Sequence, residues 1–247
     1  PETLGDDGSR WEWQYAGSFN AASKEIDLSL KDLTGFDGRC DAILFTREEK
    51  APAYASAKDM ESLRKRLIKD YGKVHDAGGY DFVVAGGGVA GMCAAVSAAR
   101  LGLKVALIHN RPVLGGNNSA EIRVHLGGSI ECEPYPNLGN MIKEFGHTTK
   151  GNANPAECYE DGKKMDFVRN EKNISLFLST HVTDVEMDGN TITALLARDI
   201  RTGRLLRFKA PLFADCTGDA NVGFLAGADW RSGRESFDET GEPGAVK

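Results

Sequence analysis

Ser119, Glu121, Arg123 and His125 stand at alternate positions in the chain. On an extended segment alternate residues share one face, so a hydroxyl, a carboxylate, a guanidinium and an imidazole would project together. His125 carries the side chain best suited to take a proton near neutral pH. Arg123 offers a fixed fork of donors for an anion. The same residues allow a plainer arrangement, in which Glu121 pairs with Arg123 and His125 is an ordinary polar residue. A second chemistry lies upstream, in glycines. Gly86, Gly87, Gly88 and Gly91 fit the spacing GxGxxG, and Gly115-Gly116 and Gly127-Gly128 follow. Glycines at such spacing let the backbone approach an anion and aim N–H groups at it. Cysteine offers less: Cys40, Cys93, Cys132, Cys158 and Cys216 form no CxxC pair, and no metal site or disulfide framework is expected. His75, His147 and His181 have no partner pattern.

The elements around the first glycine cluster give it meaning. Tyr80 to Ala85 is apolar, β-branched and aromatic, and predicts a short buried strand. Met92 to Leu101 predicts a helix with Gly102 as its stop, and Lys104 to Ile108 a second buried strand. A strand–turn–helix–strand unit is the context in which GxGxxG signals dinucleotide binding. The first glycine makes the turn, the second admits the pyrophosphate, and the third lets helix pack on strand. The helix N-terminus then faces the phosphates with its partial positive charge. An acidic residue should close the second strand to hold the ribose hydroxyls. Here His109 and Asn110 stand instead, and either can hydrogen-bond a hydroxyl. No basic clamp for a 2′-phosphate is evident, so NADP is not favoured. The expected class is α/β, a Rossmann-like FAD/NAD(P)-binding fold with a parallel sheet.

Arg111-Pro112-Val113-Leu114-Gly115-Gly116-Asn117-Asn118-Ser119 follows the second strand directly. It resembles the arginine-plus-diglycine motif of FAD-binding flavoproteins. Pro211 to Ala220, an apolar strand ending in Thr217-Gly218-Asp219, resembles their C-terminal FAD motif. Between the two, Ile174 to Leu178 reads as a strand. Thr180 to Val185, Thr191 to Arg198 and Leu205 to Ala210 read as a β-meander with turns at Asp188-Gly189-Asn190 and Thr202-Gly203. The segment from Arg111 to Val124 is similar to that of a broad family of bacterial FAD-dependent oxidoreductases of the two-dinucleotide-fold type. The resemblance spans about Tyr80 to Glu242. It implies FAD as cofactor, with Arg111, Gly115, Gly116, Asn117 and Ser119 beside ribose and pyrophosphate. It further implies that Val182 meets adenine through its backbone and that Gly218 and Asp219 meet the ribityl and pyrophosphate region. Substrate hydride would pass to the flavin, with His125 as base and Arg123 as anion clamp. An NAD-binding dehydrogenase or reductase on the same unit is the alternative.

Residues 1–50 have another character. Trp11 to Tyr15, Glu25 to Leu30 and Cys40 to Thr46 alternate apolar and polar residues, which predicts antiparallel strands. Gly35 to Ile43 resembles the end of the β-sandwich modules fused to bacterial carbohydrate-active proteins. Fifty residues are too few for a whole sandwich, which takes about 100, so a partial β-module is expected. Trp11, Trp13 and Tyr15 form either one packed face or a sugar-stacking platform. The second option leaves open a catalytically silent carbohydrate-binding protein. Residues 51–79 read as a linker, with an amphipathic helix over Lys58 to Val74 and a hinge from Asp76 to Gly79. Residues 80–247 form the cofactor domain, with its substrate domain expected elsewhere. Glu131 to Asp166 reads as loop-rich, and Arg231 to Lys247 as an exposed tail.

Composition sets the outer limits. Of 247 residues 29 are glycine, about 12% against about 7% on average. Apolar content of 41% and charged content of 27% suit a globular domain. Net charge is −6 with no basic block, which argues against a nucleic-acid partner, while the flavoprotein resemblance implies a small-molecule one. Phe82 to Ala99 is free of charge over eighteen residues, close to the length of a membrane span. Its many Gly and Ala make it poor material for lipid contact, so no membrane span is expected. The sugar-module resemblance favours a periplasmic or secreted location over a cytoplasmic one.

Overall fold

The computed structural model describes residues 13–31, 33, 40, 42–48, 56–146 and 150–245. The chain divides into two compact units, Pro1–Lys69 and Asp70–Lys247.

The first unit holds helix α1, Ala57–Leu67. Ser56 caps it by accepting the Asp59 N–H, which satisfies one of the orphan donors of the first turn. Met60 and Leu63, three apart, are buried. The helix stops at Leu67, seven residues before the expected end. No strand forms among the described residues before it. The antiparallel strands predicted for Glu25 to Leu30 and for Cys40 to Thr46 are therefore absent from the described residues of those segments. Ile26, Leu28 and Leu30 are exposed, as are Ile43 and Phe45. An alternating strand is stable only when its apolar face meets another layer, and here no such layer covers these residues. Trp11, most of Gly35 to Asp41 and the residues around Pro52 lie outside the described residues.

The second unit is built on two four-stranded sheets. Strands β2 (Phe82–Ala85), β3 (Val105–Ile108), β4 (Ile174–Phe177) and β8 (Leu212–Asp215) are all parallel, in the order β4-β3-β2-β8. Helix α2, Val89–Arg100, makes the crossover from β2 to β3. Alternation along these strands divides the core. Val84, Val105 and Leu107 face one side, where they pack with Met92, Ala95, Val96 and Ala99 of α2 and with Phe145, Phe167 and Val168. Val83, Ala85, Ala106 and Ile108 face the other side, against Val182, Leu195, Ala197 and Phe208. Those four come from the second sheet. Parallel strands buried on both faces read as continuous apolar runs, which is how these two read.

The second sheet joins β1 (Val74–Gly79), β7 (Leu205–Lys209), β6 (Thr191–Asp199) and β5 (Thr180–Asp188), in that order. Strands β5, β6 and β7 are the expected meander. Strand β1 joins it parallel to β7, with Val74 opposite Leu205. The predicted hinge over Asp76 to Gly79 is thus a paired strand. The stretch from Glu131 to Asp166 is also more ordered than predicted. It holds α3 (Asn140–Phe145), a 3-10 turn (Ala156–Tyr159) and the start of α4 (Asp161–Arg169). Phe145 packs on Phe167 with centroids 4.7 Å apart and the rings tilted by 47°, and Arg100 of α2 pairs with Glu144 of α3 and with Glu171 just beyond the end of α4. Two short helices close the unit, α5 (Asn221–Leu225) and α6 (Phe237–Thr240), the latter with a Ser236/Glu239 capping box. No helix among the described residues is long and apolar enough to cross a membrane.

Candidate functional site

The glycine loop between β2 and α2 needs its glycines for separate reasons. Gly86 turns the chain at φ +103°, and a Cβ there would lie 2.1 Å from the Cys216 carbonyl oxygen. A Cβ on Gly91 would lie 1.8 Å from the Gly86 carbonyl oxygen, so only glycine lets the first turn of α2 close on the loop. Gly88 is different: a Cβ there would meet nothing within 4 Å. The backbone faces open space at the position where GxGxxG places the pyrophosphate. Helix α2 has no side-chain cap and no acidic residue in its first turn, which keeps its N-terminus receptive to an anion.

Two further segments lock this loop. Gly115 donates its N–H to the Gly87 carbonyl at 2.9 Å, and a Cβ on Gly116 would lie 3.2 Å from Gly88 Cα. The diglycine turn therefore sits directly on the glycine loop. His109, at the end of β3, accepts the Gly87 N–H at Nδ1, 2.9 Å away. Its side chain is 5% exposed. Burial pushes the imidazole down to about 4, with the Val113 backbone opposing and the Arg111 charge adding to the shift. Nδ1 as acceptor places the proton of the neutral ring on Nε2, which is buried and meets no partner of hydrogen-bond geometry. His109 thus serves the loop. Asn110 beside it is exposed at the strand end.

Arg111 lies beyond, its guanidinium 3.5 Å from Glu121. Glu121 thus pairs with Arg111 and not, as the plainer of the two arrangements had it, with Arg123. The four alternating residues do not share an extended face, because Ser119 to Ile122 is a turn and Arg123 has φ +64°. Ser119 is buried and donates to the Gly116 carbonyl at 2.7 Å. Arg123 is exposed, its Nε donating to the Ala120 carbonyl. Asn117 is exposed, and its carbonyl accepts the Val124 N–H. His125 lies half-buried against Asn152.

Some residues of the site escaped the sequence. Lys164 is fully buried under the diglycine turn; a Cβ on Gly115 would lie 2.9 Å from its Cδ. Its Nζ donates to the Tyr159 carbonyl and to Asp161, whose carboxylate accepts the Ala120 N–H at 3.0 Å. Burial lowers the Lys164 ammonium, with Asp161 opposing. At the end of β8, Asp215 organises the turn that leads into Gly218 and Asp219. Its carboxylate accepts from the Thr217 N–H and hydroxyl and from the Gly223 N–H. Burial raises its carboxyl, but these hydrogen bonds outweigh that and hold it below the usual range. Gly218 has φ +90° and Asp219 is exposed. Val182 is buried, and its carbonyl accepts the Asn221 side-chain amide at 3.1 Å. The signal for Asp215 was its place as the last strand residue; Lys164 and Asn152 gave no signal. No group of three or more possible metal ligands occurs among the described residues, and all five cysteines are free thiols.

Open backbone at Gly88, an uncapped helix N-terminus, a loosely held Arg111 and an exposed Asn110 together fit a dinucleotide, with pyrophosphate at the loop and ribose at the end of β3. The unit is a dinucleotide-binding domain of the Rossmann-like class. Residues 81–247 match the model of the FAD-dependent oxidoreductases. The chain belongs to that family, and its cofactor is FAD. It is 29% identical over 142 residues to dihydrolipoyl dehydrogenase 3 of Pseudomonas putida, a match covering 49% of this chain and 29% of that protein. Among solved structures it is similar to AlpK, at 17% identity and a TM-score of 0.48, covering 64% of this chain and 35% of the other. A geranylgeranyl bacteriochlorophyll reductase-like protein of Thermoplasma acidophilum matches at 18% identity and a TM-score of 0.40, covering 63% and 43%. The chain spans less than half the length of each of these proteins.

Proposed function

We propose that this chain is the cofactor-binding part of an enzyme that oxidises a small molecule at the expense of FAD. The observation that carries the reading is the three-segment lock: Gly87 N–H on His109, Gly115 N–H on the Gly87 carbonyl, and Gly116 against Gly88. When bound, FAD accepts two electrons and a proton as a hydride equivalent. The chain's own residues supply the rest. Gly88 and the α2 N-terminus hold the pyrophosphate, and Arg111 adds a charged donor to it. Asn110 offers hydrogen bonds to the ribose, and Gly218 and Asp219 lie toward the ribityl chain. His125 accepts the proton that leaves a substrate oxygen or nitrogen as its C–H is oxidised, and the open guanidinium nitrogens of Arg123 hold an anionic substrate group. A carbohydrate-related substrate rests on the sugar-module resemblance of Gly35 to Ile43 alone.

The purified protein is expected to be yellow and to release FAD on denaturation. A colourless protein that gains no absorbance with added FAD, while NAD raises its melting temperature, would sink the reading.

A further inference from the structure

We infer that Asn152 is a positioning residue that fixes His125 in the Nδ1–H tautomer and leaves its Nε2 open as the proton acceptor. The inference rests on the reading of His125 as the base.

The argument begins with the oxygen of one amide. Asn152 Oδ1 accepts the backbone N–H of His125 at 3.1 Å. A backbone N–H can only donate, so the Asn152 atom facing it is the oxygen, and the amide cannot be flipped. The same oxygen lies 2.7 Å from His125 Nδ1. An oxygen without hydrogens cannot donate, so Nδ1 must carry the proton. In the neutral imidazole Nε2 then holds the lone pair. This is the tautomer a general base needs when Nε2 is the atom that reaches the substrate.

The surroundings hold this contact in register with the cofactor loop. Ala153 N–H donates to the Arg123 carbonyl at 2.8 Å, which lays the Asn152 segment beside the His125 segment. The Tyr159 hydroxyl donates to the same Arg123 carbonyl. Asn154 closes the turn on the other side, its amide donating to the Gly151 carbonyl at 2.7 Å. On the cofactor side, Val124 donates its N–H to the Asn117 carbonyl, and Asn118 donates its side-chain amide to the Val124 carbonyl. Asn117 directly follows Gly116, which touches Gly88. His125 is therefore one residue from a backbone pairing with the diglycine turn. His109 provides an internal contrast: its Nδ1 accepts a backbone N–H, so its neutral ring carries the proton on Nε2. One protein holds two histidines in opposite tautomers, each set by a backbone N–H.

The test is nitrogen NMR of histidine side chains in FAD-loaded protein at a pH where the rings are neutral. His125→Gln assigns the signals. The expected spectrum shows the Nδ1–H tautomer for His125 and the Nε2–H tautomer for His109. Asn152→Ala should move His125 toward Nε2–H, and Asn152→Asp, which keeps an acceptor oxygen in place, should restore Nδ1–H. An Nε2–H tautomer for wild-type His125, or a His125 signal unmoved in Asn152→Ala, overturns the inference. If Asn152→Ala fails to fold, the wild-type spectrum and Asn152→Ser decide it. The absorbance of the same samples reports FAD retention, so loss of the flavin reading and loss of the tautomer assignment are seen separately.

Discussion

His109 sits where a ribose-binding carboxylate would, yet its ring is turned into the protein. Burial favours its neutral form, and the Gly87 N–H can donate to Nδ1 only while that nitrogen is unprotonated. The folded-state value is about 4, against about 6.5 in an unfolded chain. Above about 6.5 both states are neutral and the group has no effect on stability. As pH falls through the window from about 6.5 to about 4, the unfolded chain binds the proton first, so stability is lost. The full difference amounts to roughly 3 kcal/mol, in order of magnitude. Urea unfolding at pH 7 and at pH 4.5 should show this loss. His109→Asn, which keeps an acceptor near Nδ1 and removes the titration, should flatten that part of the profile. An equal pH dependence in the variant would place the effect elsewhere. Gly91 gives a second prediction at this scale. With its Cβ position 1.8 Å from the Gly86 oxygen, Gly91→Ala must displace backbone. It should cost about 1–3 kcal/mol of stability and at least tenfold in FAD affinity, about 1.4 kcal/mol, read by flavin fluorescence titration.

At the scale of elements, what could be read from sequence tracks what is local. Strands β2 and β3 announce themselves because each is buried on two sides, and helix α2 because its small apolar run is bounded by the glycine loop and Gly102. The meander strands show in the same way through their alternation and the Gly189 and Gly203 turns. Strand β1 does not, because Val74–Gly79 ends in two glycines and finds its partner β7 about 130 residues away. Helix α4 was hidden for a different reason. Its buried face includes Lys164, a residue type almost never fully buried unless paired, and its pairing with Tyr159 and Asp161 is visible only in three dimensions. The network supports the site: Asp161 holds the Ala120 N–H just beyond the diglycine turn. Lys164→Met keeps most of the stem packing against Gly115 but leaves Asp161 without its cation. It should destabilise the protein by about 1–3 kcal/mol and weaken FAD binding. Lys164→Met combined with Asp161→Asn, which removes the stranded charge, should recover part of the stability. Strictly additive losses in the urea midpoints of single and double variants would count against the coupling.

The second unit as a whole is three layers: α2, α3 and α4, then the parallel sheet, then the meander sheet. The cofactor loop and the turns after β3 and β8 lie at the carboxyl ends of the parallel strands, where open α/β sheets bind ligands. This placement ties cofactor binding to global stability, because the lock between Gly87, His109 and Gly115 exists only when β2, β3 and the diglycine turn are all folded. A ligand that binds only the folded state stabilises it by about 2.7 kcal/mol at a hundredfold excess over its dissociation constant. For a unit of this size each kcal/mol moves the melting temperature by roughly 2–4 °C, so FAD should raise it by roughly 5–10 °C. The loop variants separate the contributions. Gly91→Ala should melt lower and show little further rise with FAD, because the loop itself is displaced. His109→Asn should keep most of the rise, because Asn can still accept the Gly87 N–H. Differential scanning fluorimetry of the three proteins with and without FAD checks both. A full FAD-dependent rise in Gly91→Ala would mean that the cofactor does not lie on this loop.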